Sequence, residues 1–179
     1  QQLARGELKP ERLSGISETA RDTIDNMRDI VWLLNPRAGS WRDLSLRMES
    51  ISRRLLDGVE HSIRIEGSPP DGQPRIQGAR EAVAFLKEAL TNARRHSGAQ
   101  HVTVTLEWGA TLLLKIKDDG KGFDVDAARM NGGAGLDNLN RRALALGAHL
   151  RIESAPGQGS LVELSVPLKN APAGQNESP

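Results

Sequence analysis

The sequence predicts an α+β fold: a two-layer α/β sandwich in which helices cover a mixed, mostly antiparallel sheet, preceded by one long helix. Three observations carry that expectation. Segments of alternating apolar and polar residues come mainly in pairs joined by short turns, as hairpins do. Segments with apolar residues three and four apart lie between those pairs, so the order reads helix, strand, helix, hairpin, helix, hairpin. Strands joined in this way build an antiparallel or mixed sheet rather than the parallel sheet of a Rossmann fold.

The long leading helix is expected from about residue 11 to 34. Pro10 suits a helix start, Ile16, Ala20, Ile24, Met27, Val31 and Leu34 form its apolar stripe, and Asn35-Pro36 stops it. Such a helix cannot bury its stripe alone: it must lie on the domain behind it, on a missing helix or on a copy of itself, and packing on a partner helix is the favoured reading. Residues 37–41 read as a linker, with Ser40 as N-cap of a second helix that carries Leu44, Met48, Ile51, Leu55 and Leu56 and ends near Gly58. Residues 62–66 alternate as a strand, and the Gly/Pro-rich stretch 67–74 is an exposed loop. A third helix spans about 78–96, with Ala82, Val83, Phe85, Leu86, Ala89 and Leu90 on its apolar face. Strands at 101–107 and 111–117 make a hairpin around a turn at Trp108-Gly-Ala. A possible helical turn and a Gly-rich segment follow. A helix then runs from Gly135 to about Leu146, with Leu136, Leu139, Ala143 and Leu146 inward, and Gly147 closes it. Strands at 149–154 and 160–167 complete the sheet, and residues 169–179 form a polar tail expected to be disordered.

Composition narrows the function. With 179 residues there is room for one domain and an appendage, or for two small domains. A net charge of +1 and only 3% aromatics, with no Tyr, argue against a basic field or stacking platform for nucleic acid. The absence of Cys excludes disulfides, thiolate metal sites and Cys nucleophiles. No apolar run approaches the roughly 20 residues of a membrane span. The chain opens on Gln-Gln-Leu-Ala-Arg without Met and reads as a piece of a longer protein.

Four short motifs carry the chemistry. Glu88 and Asn92 are four residues apart, hence on one face of the third helix, opposite its apolar stripe. An uncommitted carboxylate is costly in a core, so the pair is expected at a wet cleft. There the Asn carbonyl suits Mg²⁺ and the Glu can orient water or accept a proton. Taken alone, the same spacing also describes a solvated helix face. Asp118-x-Gly120-x-Gly122 leaves a strand, where the Asp can accept an exocyclic amino group and the glycines let backbone approach a flat ring. A mere turn is the plain alternative. Gly133-Ala-Gly135-Leu136 stands before a helix, where free N–H groups and the helix dipole suit a phosphate. Gly157-Gln-Gly159-Ser160 alone is a turn between strands. An EF-hand loop, a Rossmann fingerprint and a P-loop do not match these patterns.

Taken in order, these motifs resemble the ATP-binding domain of sensor histidine kinases, within the Bergerat-fold superfamily that includes DNA gyrase, MutL and heat-shock chaperone ATPases. The likeness covers about residues 40–168. The wordings Glu-Ala-Leu-Thr-Asn-Ala-x-x-His, Asp-Asp-Gly-x-Gly-Phe and Gly-Leu-x-Asn-Leu-x-x-Arg-Ala are similar to the subfamily paired with DNA-binding regulators of the NarL type. The resemblance implies that residues 1–36 are a remnant of the dimerisation hairpin, its second helix, and that 37–168 form the catalytic domain.

It further implies ATP and Mg²⁺ as cofactors. Asn92 would hold Mg²⁺ on the phosphates, and Glu88 would be the catalytic residue, helping to activate the nucleophile or organise the metal. Arg95 would reach a phosphate and His96 would flank the nucleotide. Asp118 would take the adenine amino group, and Gly120, Gly122, Gly133, Gly135 and Leu136 would shape the pocket. Ser160 stands where the family usually has Thr, and residues 123–134 would be a short ATP lid. The family's phosphorylated His has no counterpart among His61, His96, His101 and His149. The fragment is therefore expected to bind ATP without phosphorylating itself. The implied partners are a response regulator and a second copy of the parent protein, with no nucleic acid and no direct membrane contact by this fragment. A cytoplasmic location is implied, and an inner-membrane anchor is left open for the parent. Another ATPase or serine kinase of this fold, or a noncatalytic nucleotide-binding dimerisation module, are the competing readings.

Overall fold

The computed structural model divides after Ala38 into two units, and it describes Met27 and residues 39–130 and 134–168. The expected leading helix, apart from a helical and exposed Met27, lies outside the described residues, as do Gly133 and the tail from residue 169.

Helix α1 (Trp41–Leu55) starts where its cap dictates. The Ser40 hydroxyl accepts the Asp43 N–H at 3.1 Å, and the Asp43 carboxylate accepts the Ser40 N–H at 3.1 Å. This reciprocal box satisfies two donors that the first turn would otherwise leave unpaired. The hydrogen bonds from the Ser40 side chain and backbone hold the Asp43 carboxyl below its ordinary pKa. Strand β1 (Glu60–Glu66) leads to α2 (Ile76–His96), then β2 (His101–Trp108) and β3 (Thr111–Asp118). A short helix, α3 (Val125–Met130), precedes α4 (Ala134–Ala145), and β4 (His149–Ser154) and β5 (Ser160–Pro167) end the described chain.

The sheet order is β1-β2-β3-β5-β4. Strand β1 pairs in parallel with β2, across the crossover that α2 provides, and all other pairs are antiparallel. The register stacks like on like. Leu106, Leu114 and Leu164 form one cross-strand row, and Val104, Ile116 and Val162 the next. These residues are buried and share one sheet face by strand alternation. Against that face lies α2, which buries Ala82, Val83, Phe85, Leu86, Ala89, Leu90 and Ala93 and packs beside α1 and α4. Full burial of a side chain such as Phe85 or Leu86 stabilises the fold by about 1.5–3 kcal/mol. Among the described residues, no helix is long and apolar enough to cross a membrane.

Two local expectations need correction. Trp108 is the last residue of β2 rather than part of the turn. It continues the inward phase of Val102, Val104 and Leu106 and is 6% exposed. Its indole N–H donates to the Ser45 hydroxyl at 3.2 Å, and its ring meets Trp41 edge-on at 6.0 Å. Trp41 accordingly opens α1 instead of closing a linker.

Candidate functional site

The inner face of the sheet changes character at one end. After the two apolar rows comes Val102, Asp118, Ser160 and Ser154, a row with one carboxylate and two hydroxyls. The alternation that buries Leu112, Leu114 and Ile116 therefore also carries Asp118 inward, to 3% exposure. A carboxylate in that position needs partners. Oδ1 accepts the Gly120 N–H at 2.9 Å, and Oδ2 accepts the Ser160 hydroxyl. An ionised carboxylate has about four acceptor positions, so these two bonds leave it able to accept a donor from a ligand.

The loop after Asp118 is held from three sides. The Asp119 carboxylate accepts the N–H groups of Gln100 and His101, each at 2.9 Å. Those bonds, that of His101 foremost, keep its carboxyl below the ordinary Asp value. The Lys121 N–H donates to the Ser97 carbonyl at 2.8 Å, beyond the end of α2, and its carbonyl accepts the Gly157 N–H at 2.6 Å from the β4–β5 turn. Glycine is required where these segments touch. A Cβ on Gly120 would collide with the Ser97 backbone, and one on Gly122, at φ +59°, with the Ala155 carbonyl.

The opposite wall comes from α2 and α4. Gly135, in the first turn of α4, sits against the end of Asn92. A Cβ there would lie 3.2 Å and 3.3 Å from the two amide atoms of Asn92 and 3.5 Å from Glu88 Oε1. The missing side chain thus lets a helix N-terminus come up to the two polar residues of α2. Between the walls is a cavity of about 370 Å³. Of the residues singled out in the sequence, Asn92, His96, Asp118, Gly122, Gly135, Leu136 and Ser160 line it. Gly120 lies behind it in the loop. Glu88 is half buried beside Gly135 without lining the cavity, and Arg95 is exposed on the last turn of α2 away from it.

Sequence reasoning missed Lys121 and Phe123, which line the cavity, and Ile116, Leu139 and Val162, which supply its apolar surface. The inward phase of Ile116 and Val162 was the available signal, and Phe123 closes the Asp-Asp-Gly-x-Gly-Phe wording and opens the expected lid; nothing local marked Lys121.

The cleft has the character of a small-molecule site: mostly apolar, within the usual range of about 300–1,000 Å³, with few convergent polar groups. The apolar walls and the buried Asp118 suit a flat ring bearing an amino group. Among the described residues, no group of three or more His, Cys, Asp or Glu side chains stands ready to cage a metal. The oxygen donors side by side on α2, the Asn92 amide and the Glu88 carboxylate, are of the kind Mg²⁺ would take, since it keeps several waters and is usually held by one or two protein oxygens together with substrate phosphates.

Comparison with known proteins adds kinship to this geometry. Residues 78–170 match the family model described as histidine kinase-, DNA gyrase B- and HSP90-like ATPase. An uncharacterized sensor-like histidine kinase of Chloroflexus aurantiacus is 30% identical over 88% of the chain and 28% of its own length. The sensor protein VraS of Staphylococcus aureus is 43% identical over 47% of the chain and 24% of its own length. The chain thus spans about a quarter of these relatives. Among solved structures, the histidine kinase AdeS of Acinetobacter baumannii superposes with a TM-score of 0.61 at 16% identity, over 94% of this chain and 88% of that one. A blue-light activated histidine kinase of Erythrobacter litoralis gives 0.56 at 21%, over 70% and 42%. The architecture is thus that of histidine kinase ATP-binding domains.

Proposed function

Because the chain belongs to the family of histidine kinase-, DNA gyrase B- and HSP90-like ATPases, we propose that it is the catalytic ATP-binding domain of a two-component sensor histidine kinase. The parent protein transfers the γ-phosphoryl group of ATP to a His on its dimerisation helix, and from there to an Asp of a DNA-binding response regulator of the NarL type. The observation that carries the nucleotide reading is the buried Asp118, bonded to Ser160 at the polar end of an apolar cleft whose far wall is Asn92 with Gly135.

Each residue has a part in that proposal. Asp118 accepts the adenine amino group, and Ser160 and the Gly120 N–H aim its oxygens. Gly122 and Leu136 border the base, while His96 flanks the nucleotide. Gly135 brings backbone N–H to the phosphates at the start of α4, where the helix dipole favours negative charge; Gly133, given the same part by the sequence motif, lies outside the described residues. Arg95, exposed on the last turn of α2, would reach a phosphate. Asn92 would hold Mg²⁺ through its carbonyl oxygen, and Glu88, beside it, would help activate the nucleophile or organise the metal. Mg²⁺ bound there would neutralise charge on the phosphates. The protein's share in phosphoryl transfer is positioning and charge stabilisation. In this account the domain works in the cytoplasm, within a homodimeric parent.

The test is phosphotransfer. The chain is mixed with labelled ATP, Mg²⁺ and a helical hairpin bearing an acceptor His. Acid-labile label on that His is expected; acid-stable label on serine would identify a different kinase on the same fold.

A further inference from the structure

The four-residue row that holds Asp118 and Ser160 ends in Ser154, a residue the proposed roles leave unused. The side chain of Ser154 joins two loops. Its hydroxyl accepts the Phe123 N–H at 2.9 Å, from the segment that follows Asp118. It donates to the Gly159 carbonyl at 2.8 Å, immediately before Ser160. Both loops turn on glycines with positive φ, Gly122 at +59° and Gly159 at +70°. Each glycine is packed so closely that a Cβ would strike the other loop or its neighbour: Gly122 against the Ala155 and Gly159 carbonyls, Gly159 against the Asp118 carbonyl.

Glycine backbone is the least restrained in the chain, so something must fix the spacing between these loops. Backbone bonds such as Gly157 N–H to Lys121 carbonyl do part of it. The Ser154 hydroxyl does the rest, at the point nearest Phe123, which lines the cleft. We propose that Ser154 is a positioning residue for the base end of the site: it locks the loop after Asp118 to the loop before Ser160, and so sets the direction of the Asp118 carboxylate. This rests on the nucleotide reading above and adds to it a residue with no contact to the ligand.

The mechanism predicts where the effect falls. Without the hydroxyl, the Phe123 N–H and the Gly159 carbonyl lose a partner, and the loops that carry the Gly120 N–H and the Ser160 hydroxyl, the two donors on Asp118, lose part of their fixed spacing. A net hydrogen bond is worth on the order of 1 kcal/mol, which converts to a loss of affinity of about five- to tenfold. Because the disturbance is at the base, adenosine, ADP and a nonhydrolysable ATP analogue with Mg²⁺ should all weaken by the same factor.

Calorimetry on the 179-residue chain tests this with Ser154→Ala, Ser154→Thr and Asp118→Asn, at a temperature well below each thermal midpoint. Ser154→Ala should weaken all three ligands equally, and Ser154→Thr, which keeps the hydroxyl, should recover most of the loss. If Ser154→Ala is too unstable to titrate, amide exchange in wild type and Ser154→Thr decides: protection of residues 119–123 that changes on adenosine binding supports the lock, and unchanged protection overturns it. Wild-type affinity in Ser154→Ala, with Asp118→Asn impaired, overturns the role of Ser154 alone. A loss confined to the triphosphate also overturns it. Failure of the wild-type chain to bind any of the three would remove the nucleotide reading itself.

Discussion

A methyl group on Gly135 should separate nucleotide binding from fold stability. At this position φ is not in the left-handed region, so alanine meets no backbone penalty. In a helix interior it would gain about 0.5–1 kcal/mol over glycine, and in the first turn of α4 somewhat less. Against that gain stands a contact. The new Cβ would sit 3.2 Å and 3.3 Å from the Asn92 amide and 3.5 Å from Glu88 Oε1. Those separations are tight, and the side chains of α2 must give way by a few tenths of an ångström. They are the ends of side chains, so the fold absorbs the shift, and the net stability change should stay within about 1 kcal/mol. Binding cannot absorb it as easily. A misplacement of about 1 Å near the chemistry can cost about a hundredfold, so a shift several times smaller should cost on the order of tenfold in affinity for the Mg²⁺-bound ATP analogue. Adenosine, which reaches only the base end, should bind as before. Thermal melting and calorimetry with both ligands measure these quantities. Equal losses for the two ligands, or an unchanged triphosphate affinity, would refute the placement of Gly135 at the phosphate end.

Three further outcomes are expected. Asp118→Asn keeps the shape of the residue but gives it an N–H end that opposes an amino group. It should weaken adenosine and ATP alike, by about 1–3 kcal/mol in calorimetry, and unchanged affinity would take Asp118 out of that role. Asn92→Asp adds charge at the metal ligand and should shift the Mg²⁺ concentration needed for half-maximal nucleotide binding, while adenosine binding stays the same; an identical Mg²⁺ titration would contradict it. Acid should loosen the Asp43 cap and the Asp119 tie. Both carboxyls titrate below their ordinary value of 3.8 in the folded chain, so their stabilisation is fully present above that value and is lost as pH falls through the lower folded pKa. The melting-point gap between wild type and Asp43→Asn or Asp119→Asn should therefore be constant near neutrality and close as the pH falls below 3.8 and on through the lower folded pKa. A gap that persisted there would show that the carboxylate charge is not what stabilises.

Much of this fold can be read from residue periodicity because its elements are amphipathic. The stripe Ala82 to Leu90 marks the buried face of α2, and alternation marks β2, β3 and β5. The same alternation, counted two residues further, carries both Trp108 and Asp118 inward. In the tryptophan's case the adjacent Gly109 argued for a turn, and the need of the Trp41 ring and the Ser45 hydroxyl for a partner prevailed. Strand order is less legible. The hairpin of β4 and β5 could meet β3 by either strand, and β5 wins because its inward Val162, Leu164 and Val166 continue the rows of Ile116, Leu114 and Leu112. Helix and strand spacing bring out Asn92, Asp118 and Gly135, whose positions follow from the elements that bear them. Ser154 and Lys121 escape it, because their contacts cross between loops and depend on a register that only the folded sheet provides.

The central claim is that the base of ATP lies in the cleft between the sheet and α2 with its amino group on Asp118. A crystal structure of the chain with a nonhydrolysable ATP analogue and Mg²⁺ measures this directly. The account predicts the adenine amino nitrogen at about 2.7–3.2 Å from an Asp118 carboxylate oxygen, with the triphosphate running toward Asn92 and Gly135. A purine bound elsewhere, or bound here with its amino group turned away from Asp118, would contradict it.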